Sequence, residues 1–332
     1  MSFKNICWIG ILCAALFGVP GQSVMAATQA EKALTLLQQG KPKKASKMCK
    51  KVDTYDDNER RLCLLISAVA CNNTQDYKGA ERASRSLVAE QVGLKTRLAG
   101  LRELGVSLAG QAKNRNARPV IDPSNKTLEL LSEAEEIWRT VVAESPEPRP
   151  GDLLNLGNVL HARMVFEKDW DREAEIREIL FEYLDSAPEG DPGIEWAKVA
   201  TCTSEQYDAL RWDPRQTWTP EQGEKWDKGG TQTLNLGITR PVKTHYPSPQ
   251  YNPLARAARL EGQMIIRTII GKDGRIQRVW PMKRMPLCLT EDAMLTLQDW
   301  EFKPAELMGE PAEVYYNLTI NFSLAPRMAY VF

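Results

Sequence analysis

The stretch that decides the fold of the C-terminal part is Gln263–Ile270 (QMIIRTII), followed by the turn at 271–274 (GKDG) and the run at 275–282 (RIQRVWPM). Both runs are rich in β-branched and other apolar residues, which favour strands with at least one buried face. The Asp273-Gly274 pair between them is a strong hairpin signal, because a tight turn needs a residue that tolerates a positive φ. The sequence therefore predicts two antiparallel strands joined by a short turn.

A third strand is predicted at Val314–Phe322 (VYYNLTINF), where apolar and polar residues alternate. A period of two gives such a strand one core face and one polar face. Helices are predicted at 254–260 and at 290–298, the second with Thr290 as its N-cap. Together these elements predict a small α+β domain with an antiparallel sheet at residues 245–326.

Several short sequence motifs occur in a specific order in this segment: QYNPLAR at 250–256, LEGQ at 260–263, DGRI at 273–276, AMLTL at 293–297, WEFKPA at 300–305 and GEP at 309–311. In order and spacing they resemble the C-terminal domain of TonB, the periplasmic energy transducer. The resemblance implies a periplasmic domain that binds the N-terminal peptide of an outer-membrane transporter by adding it as a strand at a sheet edge. An edge strand offers unpaired N–H and C=O groups, so an extended peptide can dock there with little side-chain specificity.

By matching to this family, the expected peptide-binding edge is the last strand. Its candidate contact residues are Val314, Tyr315, Tyr316, Asn317, Leu318, Thr319 and Ile320. Gln250 and Tyr251 stand where the family's Gln-Tyr precedes the first helix, a region linked to partner contact. For Tyr251 the alternative is a role in chain entry and packing. Trp300 and Phe302 are expected to belong to the core.

The first 26 residues are interpreted as a secretory signal. Lys4 supplies its positive region, residues 6–17 form a short apolar run, and small residues precede an expected cleavage after Ala26. The apolar run is shorter than a membrane-spanning helix usually needs. The expected location is therefore the periplasm of a Gram-negative bacterium, and the alternative is an uncleaved segment that anchors the protein in the inner membrane.

Charge and motifs narrow the function classes. The chain has 43 Lys and Arg residues against 43 Asp and Glu residues, so nothing favours nucleic acid or an anionic membrane as a partner. The sequence contains no HExxH or GxSxG motif, phosphate loop, dinucleotide-binding glycine motif or Cys/His set with metal-ligand spacing. His161 is expected to be a packed or surface residue. We therefore expect a protein-binding protein that is not an enzyme and uses no cofactor or metal.

Five of the seven cysteines remain after the signal segment: Cys49, Cys63, Cys71, Cys202 and Cys288. In an oxidising compartment one or two disulfides are expected, within the group at 49, 63 and 71, with one thiol left over. The alternative is that the helical cysteines are buried apolar residues without a covalent partner. The sequence leaves the pairing open.

Residues 27–200 are predicted to form an all-α solenoid of helical hairpins. Apolar residues recur there at helical spacing, as at 62, 65, 66 and 69. The segments 40–45 and 76–80 resemble the start of the second helix of a tetratricopeptide repeat, and their alanines, Ala45 and Ala80, are 35 residues apart. Such arrays offer a concave surface for binding proteins. The alternative is a helical spacer that binds no ligand.

Residues 201–244 are predicted to be a linker between the two domains. This segment holds Trp212, Trp218 and Trp226 among proline, glycine and charged residues. A free linker rarely carries three tryptophans, so we expect it to pack against the helical domain. The alternative is that its tryptophans form an aromatic binding groove.

The favoured function is that of a periplasmic binding or adaptor protein. Its C-terminal sheet edge would capture an extended peptide of an envelope protein, such as an outer-membrane transporter, while the helices recruit a second partner. One alternative is an energy transducer whose N-terminal segment is retained as an anchor. Another is an envelope scaffold that forms a homodimer through the same sheet edge.

Overall fold

The computed structural model describes residues 28–50, 56–115, 124–216 and 237–324. The chain divides into two compact units, one ending at Arg172 and the other beginning at Glu173. The expected α-helical region followed by a small α+β domain is confirmed. The expected limits of the domains, with a boundary at residue 200, stay predictions.

The first unit consists of α-helices that pack against their sequence neighbours. They are α1 (Gln29–Gln38), α2 (Pro42–Met48), α3 (Asp57–Asn73), α4 (Tyr77–Val88), α5 (Leu94–Arg115), α6 (Asn125–Glu144) and α7 (Pro150–Glu167), followed by a 3-10 turn at Trp170–Arg172. Polar caps fix several of their starts, because a side-chain oxygen satisfies an N–H group that the helix leaves unpaired. Thr28, Asp56, Asp76 and Ser124 act in this way.

Small residues let these helices approach one another closely, as expected. Ala45 and Ala80 are fully buried. A Cβ atom on Gly105 of α5 would lie 2.7 Å from the buried ring of Trp138 on α6, so this helix contact depends on glycine. The assignment of the helices to tetratricopeptide repeats stays a prediction.

His161 lies in α7 with its Nε2 atom shielded from solvent. Burial lowers the pKa of this imidazole to about 4, because a dry environment disfavours the charged form. His161 is therefore a packed neutral residue, in line with the expectation.

The second unit begins with two helices and continues into the α+β domain. Its elements are α8 (Glu173–Ser186), α9 (Ile194–Thr201), a 3-10 turn (Glu205–Tyr207), β1 (Val242–His245), α10 (Pro253–Ala257), β2 (Gly262–Ile270), β3 (Ile276–Lys283), α11 (Leu289–Leu297), β4 (Glu301–Lys303), β5 (Ala305–Leu307), β6 (Glu310–Ala312) and β7 (Val314–Phe322).

The main sheet has three antiparallel strands in the order β3-β2-β7. The predicted hairpin joins β2 to β3, and its Gly274 has a φ of 75°. A Cβ atom there would lie 1.9 Å from the Phe302 carbonyl oxygen, so both conformation and space require glycine. Two smaller antiparallel pairs, β1 with β4 and β5 with β6, complete the strands of the described ranges.

The core of this domain lies between the inner face of the sheet and α11. The fully buried residues include Met264 and Ile266 of β2 and Ala293 and Met294 of α11. Trp300 and Phe302 are also buried, as expected. The cap of α11 was predicted wrongly. The N-cap is Cys288, and the Thr290 side chain instead bonds the backbone N–H and C=O of Met285.

Within the part of the chain that the structure describes, no helix has the length and apolar character needed to cross a membrane. The predicted signal segment at 1–26 lies outside these ranges.

Candidate peptide-binding edge

Strand β7 is an edge of the main sheet, since among the described strands it pairs with β2 alone. Its register with β2 is unbroken from Val314, opposite Ile270, to Phe322, opposite Gly262. Residues 314, 318, 320 and 322 are buried, whereas 317, 319 and 321 are exposed. Tyr315 and Tyr316 are half-buried. The alternation of apolar and polar residues therefore places one face of β7 in the core.

One contact fixes the direction of the backbone groups of β7. The Thr268 hydroxyl donates to the carbonyl oxygen of Tyr316 at 2.8 Å, and the two residues are directly opposite in the ladder. This carbonyl therefore points toward β2. Because backbone groups alternate in direction along an antiparallel strand, the N–H and C=O of Asn317 point away from β2, as do those of Thr319 and Asn321.

This outer side of β7 lacks the features by which natural proteins protect a sheet edge. Such features are prolines, charged side chains, bulges and very short strands. The nine residues of β7 include no proline and no charged residue, and their register contains no bulge. The edge is therefore well suited to pair with an extended chain.

Neighbouring residues of β2 support the polar face of β7. The Arg267 guanidinium donates from Nε to Asn317 Oδ1 at 3.2 Å, and the Gln263 amide donates to Asn321 Oδ1 at 3.0 Å. Sequence reasoning missed Arg267 and Gln263 as parts of this surface. Both contacts depend on the register of two strands that are about fifty residues apart in the chain, which no local pattern reveals.

Tyr251 lies at the C-terminal end of β7. Its ring packs edge-on against Phe322, with 5.7 Å between ring centroids, and the Arg256 guanidinium is 5.8 Å from the centre of the Tyr251 ring. The Tyr251 hydroxyl is buried and has no hydrogen-bond partner among the described groups. Burial raises the pKa of Tyr251, and the charge of Glu261 adds to this.

Gln250 is exposed and precedes this tyrosine. The structure thus brings Tyr251 to the end of the predicted binding strand, where it packs as the alternative interpretation expected. The partner-binding role of Gln250, Tyr251 and residues 314–320 stays a prediction.

Asn252 fixes the start of α10 and thereby the position of the preceding tyrosine. Its Oδ1 accepts from the N–H of Ala255 at 2.9 Å, which caps α10. Its Nδ2 donates to the Leu287 carbonyl oxygen at 2.5 Å and to Asp292 Oδ2 at 2.8 Å. This positioning role escaped the sequence analysis, although an Asn before Pro at a helix start is a recognisable cap.

The expected disulfide within the group at 49, 63 and 71 is wrong. Cys202 pairs with Cys288, and Cys49, Cys63 and Cys71 are free thiols. Cys49 and Cys63 are buried in the core of α1–α3, so the alternative of buried apolar cysteines holds for these two. A hydrogen bond with Cys63, together with burial, raises the pKa of the Cys49 thiol. Nearness in sequence was a poor guide, because folding brings together two cysteines that are 86 positions apart.

A partly buried ionic cluster lies beside this disulfide. The Arg177 guanidinium is 3.2 Å from a Glu173 carboxylate oxygen and 3.1 Å from a Glu291 carboxylate oxygen. Glu173 also accepts from the N–H of Leu287 at 3.0 Å. Burial raises the pKa of Glu173, and the charge of Glu291 adds to this although Arg177 opposes it. The Arg177 guanidinium thus binds two carboxylates and joins α8 to α11. The bond from Leu287 to Glu173 also joins α8 to the loop that precedes α11.

The linker tryptophan that the structure describes does not pack as expected. Trp212 was expected against the helical domain, but its indole Nε1–H donates to the carbonyl oxygen of Gln277 in β3 at 3.2 Å. The nearby Tyr207 hydroxyl donates to Asp292 Oδ1 at 2.8 Å. Trp218 and Trp226 lie outside the described residues.

Comparison with known families supports the resemblance inferred from the sequence. Residues 247–324 match the model of the family described as Gram-negative bacterial TonB protein C-terminal, a match that covers less than a quarter of the chain. Comparisons with curated proteins and with solved structures found no match. The chain therefore carries a TonB C-terminal domain at residues 247–324, a domain of a family that acts in the envelope of Gram-negative bacteria.

Proposed function

We propose that this protein is an envelope binding protein that captures an extended peptide by adding it as a strand to the outer side of β7. The peptide belongs to an envelope protein, such as the N-terminal segment of an outer-membrane transporter. The helical region at residues 27–200 recruits a second protein. The observation that carries this proposal is the uncharged edge of β7, which has no bulge and whose backbone groups at Asn317 and Thr319 point away from β2.

The chemistry of the edge indicates what peptide it takes. Side chains of an added strand would alternate between the core side, beside Leu318 and Ile320, and the polar side, beside Asn317 and Thr319. A peptide with apolar residues at every second position and small polar residues between them fits both sides. Because backbone hydrogen bonds supply much of the affinity, the edge accepts many sequences of this pattern.

The decisive experiment compares Asn317→Pro with Asn317→Ala in the full chain. Proline removes the outward N–H and fills its place with the ring, while the ladder toward β2 stays intact. Alanine removes the side-chain bond to Arg267 but keeps the N–H. Labelled peptides from the N-terminal segments of outer-membrane transporters are titrated with each variant, and fluorescence anisotropy reports binding.

We expect Asn317→Pro to weaken peptide binding by at least about tenfold, which corresponds to about 1.4 kcal/mol, and Asn317→Ala to change it much less. Circular dichroism and the urea midpoint establish that both variants are folded. A folded proline variant that binds as tightly as wild type would show that β7 is not the site.

The disulfide supports the periplasmic location, because disulfides persist in oxidising compartments. The intact mass of the protein recovered separately from the soluble periplasm and from membranes tests the location. A soluble species that begins at Ala27 supports the binding role. A membrane-bound species that retains residues 1–26 favours the energy transducer instead.

A further inference from the structure

The edge of the sheet opposite β7 is built differently. Strand β3 has two bulges against β2, since Gln277 and Met282 have no partner in the register. Between them lies Pro281, which has no N–H to donate. Bulges and proline weaken an edge strand as a template for another chain, but they do not cover its other backbone groups.

Trp212 covers the first of these bulges. Its indole N–H donates to the Gln277 carbonyl oxygen at 3.2 Å, and the residue as a whole is 8% exposed. The acceptor belongs to Gln277, the residue that has no partner in the register with β2. The ring therefore covers the place where a further strand would run.

The segment that carries Trp212 is attached to the domain at several points. Cys202 is joined to Cys288 at the start of α11. Farther along, the Tyr207 hydroxyl bonds Asp292 at 2.8 Å, and the backbone N–H of Arg211 donates to the Gln298 side chain at 2.7 Å. These attachments hold Trp212 against β3 without relying on its own single hydrogen bond.

The start of β3 is covered by another element. Arg275 pairs with Glu301 of β4 in a β-bridge, and the N–H of Phe302 donates to the Gly274 carbonyl oxygen at 2.9 Å. The β3 edge is thus covered just before its first residue and at Gln277, and is interrupted at Pro281, whereas β7 shows none of these features in the described ranges.

We propose that residues 202–216, here called the edge cap, close the β3 edge so that the domain can add only one strand, at β7. A sheet with two open edges can add the β7 edge of one copy to the β3 edge of the next. Such a head-to-tail contact does not close on itself and produces open chains of molecules. The edge cap prevents this and keeps β7 free for a foreign peptide. This inference rests on the proposed function in one respect, namely that β7 can accept a strand.

The test uses three variants of the full chain: Trp212→Ala, Arg211→Ala and the double variant of Trp212→Ala with Asn317→Pro. Arg211→Ala is the matched control, because the cap contact at this position uses the backbone N–H. Sedimentation velocity over two decades of concentration measures association. Hydrogen exchange of the β3 amides reports whether the cap has lifted.

We expect wild type and Arg211→Ala to remain monomeric. The average mass of Trp212→Ala should rise with concentration to at least about twice that of the monomer. Each molecule that adds its β7 edge to the β3 edge of another lengthens the assembly. The double variant should be monomeric again, because its β7 edge is blocked.

Two results would overturn the inference. One is a Trp212→Ala variant that is folded, exchanges faster in β3 and yet stays monomeric at every concentration. The other is association that persists in the double variant, since the contact would then not use β7. Failure of the proposed function is recognised separately, as peptide binding that Asn317→Pro leaves unchanged.

Discussion

The Cys202–Cys288 disulfide offers the most direct test of how the second unit is held together. It joins the residue after α9 to the N-cap of α11, two elements that lie far apart in sequence. We consider the double variant in which both cysteines are replaced by alanine. Alanine is preferred to serine because Cys202 and Cys288 are both buried, and a buried hydroxyl without a partner would add its own cost.

The expected loss of stability follows from the length of the closed loop. The two cysteines are 86 positions apart. In the chain-entropy model, a loop of this length lowers the entropy of the unfolded chain enough to stabilise the fold by about 4.5 kcal/mol. We therefore expect the double variant to lose between about 3 and 4.5 kcal/mol, since removal of a native disulfide typically costs about 2–5 kcal/mol.

Urea unfolding followed by tryptophan fluorescence measures this loss. Reduction of the wild type should lower its unfolding midpoint to that of the double variant, and the reductant should leave the variant itself unchanged. Cys71→Ala is the matched control, because Cys71 is a half-buried free thiol in α3. We expect this control to lose no more than about 1 kcal/mol and to respond to the reductant as wild type does.

A peptide map of the non-reduced protein decides the pairing itself. The expected result is a linked peptide pair containing Cys202 and Cys288. A linked pair within the group at 49, 63 and 71, or an unfolding midpoint that the reductant does not move, would refute the argument.

Three further features are each tested by a single substitution, two of them with a matched control. Arg177→Met should destabilise the second unit by about 3 kcal/mol, because it leaves two carboxylates without their cation. Burial raises the pKa of Glu173, so the loss should shrink on acidification as Glu173 protonates. Lys303→Met, at an exposed ion pair, should cost less than about 1 kcal/mol. Burial lowers the pKa of His161 from 6.5 to about 4. Between these pH values the imidazole binds a proton in the unfolded chain but not in the folded chain. The free energy of unfolding should therefore fall as pH drops from 6.5 toward 4, by up to about 3 kcal/mol, and His161→Gln should abolish this part of the pH dependence. Gly274→Ala should cost more than about 2 kcal/mol, whereas Gly309→Ala, also at a positive φ but with open space around it, should cost about 1 kcal/mol.

Urea unfolding at several pH values measures all of these effects. Equal losses for Arg177→Met and Lys303→Met would contradict the burial of the ionic cluster. A pH dependence that is the same in wild type and in His161→Gln would show that the imidazole is not shielded. Equal losses at the two glycines would show that the Phe302 carbonyl does not crowd Gly274.

Local patterns in the sequence predicted the elements of the sheet well. The last strand has the bounds that the alternation at 314–322 indicates, and the hairpin turns at Asp273-Gly274 as its residues require. Each of these two signals depends only on residues that are a few positions apart in the chain. It can therefore be recognised without knowing any long-range contact. The start of α11 was predicted less well, because Thr290 has the chemistry of a cap but uses its hydroxyl on Met285.

Long-range partners could not be predicted in this way. Arg177 and Glu291 are 114 positions apart, and Trp212 and Gln277 are 65 positions apart. An arginine on a helix and a tryptophan in a proline-rich segment have many plausible partners, and only the fold selects one. The same limit explains why the candidate site was predicted as a strand while its support by Arg267 and Asn252 was not.

The buried charges of α11 also indicate how far the physical unit extends beyond the family match. Glu291 and Asp292 lie within residues 247–324, and both are nearly buried. Their partners Arg177 and Tyr207 lie before that range, and an unpartnered buried carboxylate is costly. A fragment that began at residue 246 would leave Glu291 without Arg177 and would leave Asp292 with Asn252 but without Tyr207. It would also lose Cys202 and Trp212. The candidate peptide-binding edge is therefore part of a sheet whose packing helix depends on α8 and the edge cap, so a test of peptide binding needs a chain that includes both.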